Sequence, residues 1–279
     1  MGPYSPALPL DETVFLLLRD LIHERTGLYF DDSKREVIAD RLSPFVIELG
    51  LGSFLDYYYL LKYDAHTGSE WERVFQGLSI QETYFWREMD QIHAMVDILV
   101  PDHLAAHPGE PLRIWSAVCS TGEEPISIAM ALAEAGWLDR APIVINASDA
   151  NPVAVAKARK GLYRERAFRS LPGHLRARYF IEKDGWWQVA PELHRKIGWA
   201  TANIAVEADI FDFASSHMIF CRNVFIYFSE KAVRKTVDVF FKRMPSPGYL
   251  FVGVSESLFR ITKDFELKEI GNAFVYVKK

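Results

Sequence analysis

Residues 112–133 read LRIWSAVCSTGEEPISIAMALA. Leu112 to Ala117 is a short apolar run of the kind that forms a buried strand. Cys119-Ser120-Thr121-Gly122-Glu123-Glu124 is small and polar, which makes it a turn. Pro125 opens an apolar helix, because the first helical position needs no N–H. A strand, a small-residue loop and a helix start together form a nucleotide-type site at the carboxyl edge of a parallel sheet. The loop is not a dinucleotide fingerprint. It has one glycine where G-x-G-x-x-G needs three, and two carboxylates stand where a pyrophosphate would lie.

An anionic loop suits a cofactor that carries cationic groups. S-adenosylmethionine has an ammonium and a sulfonium and no phosphate. Asp149 follows the second apolar run, Ile143 to Ala147, where a carboxylate can accept both hydroxyls of a ribose. A cap for the helix that Asn151-Pro152 opens is the alternative reading, and the two roles are compatible. Glu123 and Glu124 sit at a helix start, where carboxylates are favoured by the dipole, and do not read as an acid/base pair.

Working outward, residues 1–10 form a proline-rich arm. Helical spacing begins at Asp11, with Val14, Leu17, Leu18, Leu21 and Ile22 on one face. Gly27 closes this helix. Ser33 to Glu36 reads as a capping box for a second helix, which Pro44 interrupts or ends. Ser53 caps a third helix, and Ser69 to Glu72 is a box for a fourth. Residues 11–78 are therefore an N-terminal all-helical domain. Residues 79–279 form the second domain.

In that second domain, Met89 to Ala106 is helical with a break at Pro101, and Asn151 to Gly161 frames a further helix. Ser170 to Phe180 reads as helical, and Met218 to Cys221 as a buried strand. Ser229 caps a helix to about Met244. Tyr249 to Val254 and Ala273 to Val277 are the last strands. Trp186 to Val189 and Ile197 to Ala200 read as a small antiparallel β insertion, about 179–200. The fold class is thus α/β: a Rossmann-like, largely parallel sheet with a small antiparallel insertion, preceded by an all-helical domain.

The composition is that of a globular chain, and the formal charge of −5 argues against a nucleic-acid partner. No apolar run is long enough for membrane insertion. The N-terminus lacks the basic and apolar regions of a secretory signal. Cys119 and Cys221 stand alone in separate motifs, which reads as a cytoplasmic location. His103 and His107 have metal-pair spacing but no third ligand, so no metal is expected.

Four stretches in order resemble the chemotaxis-receptor glutamate methyltransferases, the CheR family: Glu82 to Glu88, Trp115 to Ala129, Phe220 to Phe228, and Gly253 to Leu258. The resemblance implies S-adenosylmethionine as cofactor, with S-adenosylhomocysteine as product. It places Gln81, Thr83, Arg87, Glu124, Asp149, Asn203, Ile204, Arg222 and Asn223 against the cofactor. Gln81 departs from the family's asparagine by one methylene. Arg87 and Tyr227 are implied at the reaction centre. Arg87 could otherwise be an ordinary surface arginine, and Arg222 a salt bridge at the sheet edge. Two polar residues directly after a buried strand favour a cleft.

The implied activity is methyl esterification of glutamate side chains on the cytoplasmic helical domain of a chemoreceptor. In the family the helical domain docks that receptor through basic residues, which here are Lys34, Arg35 and Arg41. Residues 11–78 nevertheless hold thirteen acidic against seven basic side chains. That balance keeps open a non-receptor protein substrate, or a regulatory protein that binds the cofactor without transferring methyl. The short turn Glu182-Lys183-Asp184-Gly185 implies methylation without a C-terminal pentapeptide tether.

Overall fold

A computed structural model of the chain describes residues 7–64, 68–79 and 82–279. They form two compact units, one of residues up to 80 with 227–232, the other of 81–226 with 233–279.

The helical unit contains helices Glu12–Thr26, Arg35–Glu48, Phe54–Tyr63 and Gly68–Leu78. Phe15, Leu18, Ile22, Ile38, Leu42, Phe54 and Tyr57 are its innermost side chains. Asp11 caps the first helix through the Val14 N–H at 2.9 Å. Gly27 ends it at φ +78°, in the left-handed region. A Cβ there would also overlap the Phe228 ring at 2.5 Å, so glycine is required twice over. Segment 227–232 joins this unit through the Tyr29 N–H, which donates to the Tyr227 carbonyl at 2.8 Å.

Two helix details differ from the sequence reading. Ser33 does not cap the second helix: Asp31 accepts the Ser33 N–H at 2.9 Å and caps a short 3₁₀ turn, Asp32–Lys34, that leads into it. Pro44 lies inside Arg35–Glu48 without ending it. Next to it the buried Ser43 hydroxyl donates to the Ala39 carbonyl at 2.6 Å and accepts the Leu8 N–H at 2.9 Å.

In the second unit ten strands appear: β1 Leu112–Ala117, β2 Ile143–Asp149, β3 Leu162–Tyr163, β4 Phe180–Lys183, β5 Trp186–Val189, β6 Ile197–Thr201, β7 Met218–Cys221, β8 Gly248–Phe251, β9 Glu266–Ile270 and β10 Ala273–Lys278. Seven of them form one sheet in the order β6-β2-β1-β7-β8-β10-β9. The pairs from β6 to β8 are parallel, and β10 runs antiparallel to β8 and β9. Chain order reverses between β1 and β7, so their carboxyl ends flank the crevice where such sheets bind ligands. β7 is buried along its whole length, and Trp115 of β1 donates Nε1–H to Ser148 at 3.0 Å inside the core.

The antiparallel insertion is a separate three-stranded sheet, β3-β5-β4. It does not include Ile197 to Ala200. Those residues belong to β6, parallel to β2 with Ile145 opposite Ile197 and Asp149 opposite Thr201. A short apolar run does not specify which sheet it joins; a helical turn, Pro191–His194, redirects the chain beforehand. The helix expected over Ser170 to Phe180 shortens to Gly173–Tyr179. Pro172 disfavours helical geometry at Leu171, so the helix starts after it. The expected break at Pro101 is a π turn, Met95–Leu99, which carries the helix through. Strand β9 was not expected: its ELKEI sequence is mostly exposed and lacks apolar alternation.

Candidate active site

The loop after β1 is strained. Val118 and Ser120 take φ +67° and +50°, and Gly122 takes +98°. A β-branched residue at positive φ is a true outlier. A Cβ on Gly122 would meet Ala158 and Trp199 at 2.9 Å and Tyr163 at 3.0 Å, so only glycine fits. The helix that follows is Glu123–Glu134, which sets Pro125 at its third position rather than its first. Its missing N–H still falls among the unpaired donors of the first turn, since the first intrahelical bond is Ile126 N–H to Gly122.

Asp149 ties this loop to the end of β2. One carboxylate oxygen accepts the Ser120 N–H at 2.8 Å and the other the Asn151 N–H at 2.8 Å. Asn151 then caps the helix Pro152–Lys160 through the Val153 and Ala154 N–H groups. The helix cap is Asn151 rather than Asp149, which supports it by accepting the Asn151 N–H. Burial pushes the Asp149 carboxyl up, and the two backbone donors oppose that shift. Each carboxylate oxygen keeps an acceptor site beyond its backbone bond.

Beside the loop lies a buried ionic cluster. The Arg222 side chain is 2% exposed. Its Nη2 donates to the Arg87 carbonyl at 2.9 Å and to Glu88 at 3.1 Å. Its Nη1 stands 3.4 Å from Glu124, whose other oxygen accepts the Ser116 hydroxyl at 2.7 Å. Burial raises the Glu124 carboxyl, while Arg222 and the Ser116 hydroxyl pull it down. Asn223 donates Nδ2–H to Glu88 at 3.2 Å. Glu256 accepts the backbone N–H groups of Asn223 at 2.8 Å, Gly253 at 2.7 Å and Ile226 at 3.3 Å. The Arg87 guanidinium lies 3.5 Å from Glu88 and donates to the Glu82 carbonyl at 3.0 Å. Among the described residues, six non-glycine positions have positive φ, and Trp86, Glu88, Val118, Ser120 and Asn223 are five of them. Such strain concentrates where a site is over-determined by its surroundings.

Glu123 is buried apart from that cluster. Burial pushes its carboxyl up to about 7, against the Thr121 hydroxyl that donates to it at 2.7 Å. A carboxyl raised on folding stabilises the protein below its unfolded value of 4.5 and loses that contribution as pH climbs through 7. Glu123→Gln keeps an acceptor for Thr121 and removes the charge. It should raise Tm at pH 8, by at most about 3 kcal/mol of stability, and leave Tm nearly unchanged at pH 4. An equal gain at both pH values in thermal melts would show that Glu123 does not titrate this way.

Arg87, Glu124, Asp149, Arg222 and Asn223 are thus gathered at the carboxyl ends of β1, β2 and β7. Asn203 and Ile204 come shortly after β6, and the Ala202 N–H just before them donates to the Asp149 carbonyl at 3.1 Å. The Asn203 side chain accepts the Ala205 N–H at 3.0 Å, and Ile204 is buried. Thr83 lines a cleft with Thr121 and Glu123. Tyr227 belongs to the helical unit, and Gln81 lies outside the described residues. His103 stacks on His107 and meets His217 edge-on, ring centroids 4.8 and 4.4 Å apart, as packing at the opposite end of the sheet. Cys119 and Cys221 are free, and burial pushes both thiols well up. Sequence reasoning gave Glu88 and Glu256 no role, although both lie in the quoted motifs. Their partners are distant in the chain, which a local pattern does not encode.

The residues present fit S-adenosylmethionine. Residues 118–125 contain no Lys or Arg. Asp149 and Glu124 offer carboxylates to hydroxyl and ammonium groups. The Ser120 hydroxyl, the Asn151 amide nitrogen and the Trp199 Nε1 are buried without a hydrogen-bond partner among the described residues. Such atoms cost about 1–3 kcal/mol each unless a ligand meets them.

Residues 81–274 match the family model for the CheR methyltransferase SAM binding domain, and residues 14–79 the model for the CheR methyltransferase all-alpha domain. Chemotaxis protein methyltransferase 2 of Vibrio cholerae is 34% identical over 272 residues, 96% of this chain and 94% of that protein. The chemotaxis protein methyltransferase of Escherichia coli K12 is 33% identical over 265 residues, 94% of this chain and 90% of its own length. The cofactor is therefore S-adenosylmethionine, and with its strained loop, buried arginine and two matched domains the chain belongs to the CheR methyltransferase family.

Proposed function

We propose that this chain is a protein-glutamate O-methyltransferase acting on the cytoplasmic helical domain of a chemoreceptor, in the cytoplasm. The observation that carries the reading is Arg222, held between Glu88 and Glu124 beside a second arginine, Arg87, and a strained, cation-free loop. When bound, S-adenosylmethionine supplies an electrophilic methyl on a positive sulfur. A substrate glutamate is already ionised at neutral pH, so it needs no general base. Its oxygen forms a bond to the methyl carbon as the carbon–sulfur bond breaks, and no proton moves. The protein's task is alignment and exclusion of water.

Asp149 would take the ribose hydroxyls, Glu124 and Arg87 would border the methionine end with Thr83 and Gln81, and Asn203 and Ile204 would border the adenine. Arg222 and Asn223 would hold that frame. Arg87 and Tyr227 would orient the incoming carboxylate. The helical unit would present Lys34 and Arg35, both exposed, to the receptor; the Arg41 guanidinium also donates to the Leu78 carbonyl at 3.1 Å. The hairpin turn Asp184-Gly185, with φ +54° and +71°, is a tight two-residue turn. No pentapeptide tether is required in this reading.

The test is incubation with methyl-labelled S-adenosylmethionine and receptor cytoplasmic fragments, with and without their C-terminal ends. Base-labile label should appear at equal rates on both. Arg87→Ala and Tyr227→Phe should each slow transfer by roughly a hundredfold, more than they weaken product binding, as misalignment of a bound nucleophile predicts. Tight cofactor binding with no transfer to any receptor would favour a regulatory protein instead.

A further inference from the structure

Residues 157–178 carry eight Lys and Arg and one acidic residue, Glu165, in a chain whose formal charge is −5. Several of these cations have carboxylate partners. Arg166 and Arg169 pair with Glu82 at 2.9 and 2.6 Å, Arg178 with Glu134 at 2.8 Å, and Arg176 with Glu165 at 2.7 Å. Arg159 donates to the Trp199 carbonyl at 2.7 Å. The ammonium groups of Lys157 and Lys160 have no hydrogen bond or ion pair among the described residues, and both residues are exposed. Arg164 donates to the Gly185 carbonyl at 3.1 Å and lies over Trp186 at 3.7 Å, with no carboxylate partner.

These three cations and Arg166 line one cleft of about 500 Å³. Thr83, Thr121 and two carboxylates, Glu82 and Glu123, line the same cleft; Glu82 is engaged by Arg166 and Arg169, and Thr121 belongs to the loop after β1. Lys157 and Lys160 close a helix, where cations are favoured by the dipole. That preference does not explain Arg164 and Arg166, which come from the insertion and converge on the same space.

We propose that this cleft binds an acidic segment of the protein substrate, the carboxylates that flank the glutamate being methylated. The inference rests on the function proposed above. It adds a docking contact on the methyltransferase unit to Lys34 and Arg35 of the helical unit, whose residues 11–78 are net acidic. Clustered cations in a cleft concentrate anionic partners and speed their capture. One face of Trp186 is already covered by Arg164, which removes a stacking platform of the kind single-stranded nucleic acids use.

The test is Lys157→Glu plus Lys160→Glu, with Lys157→Gln plus Lys160→Gln as the milder pair. Binding of a fluorescent poly-L-glutamate peptide is read by anisotropy, and methylation of a receptor cytoplasmic fragment by KM and kcat. The charge reversal should weaken poly-glutamate binding and raise KM by roughly tenfold or more, with the neutral pair intermediate. Affinity for S-adenosylhomocysteine and kcat should stay unchanged. Salt should weaken poly-glutamate binding to the native chain far more than to the reversed one. Unchanged peptide affinity in the reversed variant would overturn the proposal, as would tighter binding of a poly-uridine RNA than of poly-glutamate. Poly-glutamate binding that responds to both pairs while no receptor fragment is methylated would uphold the cleft and overturn the methyl-transfer reading.

Discussion

Arg222→Ala should lower Tm by roughly 10 °C at pH 8 and abolish detectable cofactor binding. Removing one partner from a buried ionic cluster costs about 3–5 kcal/mol, and a chain of this size loses about 2–4 °C per kcal/mol. Glu88 and Glu124 both contact the guanidinium, and their side chains are only 14% and 18% exposed. Without Arg222 the Glu124 carboxyl, already raised by burial, rises further. A carboxyl raised on folding stabilises at low pH and loses that contribution as pH climbs. The deficit should therefore be smaller at pH 5 than at pH 8. Adding Glu124→Gln to Arg222→Ala should recover part of the Tm at pH 8 without restoring S-adenosylhomocysteine binding. Arg222→Lys keeps the charge but not two diverging donors, and should fall between. Melts at the two pH values decide the matter: an unchanged Tm for Arg222→Ala would remove the cluster from any role in holding the site.

Asp149→Ala should weaken S-adenosylhomocysteine binding by roughly a hundredfold or more in calorimetry. Two charge-assisted hydrogen bonds to a ribose are worth about 1.5–3 kcal/mol each, and each 1.4 kcal/mol is a decade of affinity. The carboxylate also holds the Ser120 and Asn151 N–H groups at 2.8 Å, so the loop would loosen as well. A thermodynamic cycle separates the two effects. An analogue lacking the ribose 2′-hydroxyl should bind the native chain more weakly than the full product, and bind Asp149→Ala equally with it. If the analogue and the product differ by the same factor in both proteins, Asp149 holds the loop and does not touch the ribose.

The contrast between these two residues shows how far a local pattern reaches. Asp149 was legible because it ends an apolar strand a few residues before a helix start. Arg222 was legible as a polar residue after a buried strand. Its confinement between Glu88 and Glu124 was not, because Glu88 lies 134 positions away in the chain. Glu256 was passed over for the same reason: its three backbone partners include Asn223, 33 positions earlier. No periodicity records such a bond. The docking cleft is a similar case. The basic composition of residues 157–178 is plain in the sequence, but that two of its arginines converge with Lys157 and Lys160 depends on how β3 and β5 pair.

The amino-acid sequence by itself determined the features governed by nearest neighbours. Apolar runs made β1, β2 and β7 buried strands. Helical spacing made Glu12–Thr26, Arg35–Glu48 and Phe54–Tyr63 helices, and Gly27, Asn151 and Gly161 set helix ends through backbone conformation and side-chain capping. The absence of lysine and arginine from residues 118–125 set the charge of the loop. Tertiary structure alone decided that Ile197–Thr201 extends the parallel sheet, and that the exposed Glu266–Ile270 pairs as an edge strand. It also decided that Arg222 is held between Glu88 and Glu124. Strand partners and buried ion pairs join residues far apart in the chain. Their geometry is selected by the burial and hydrogen bonding of the whole unit, which no short stretch contains.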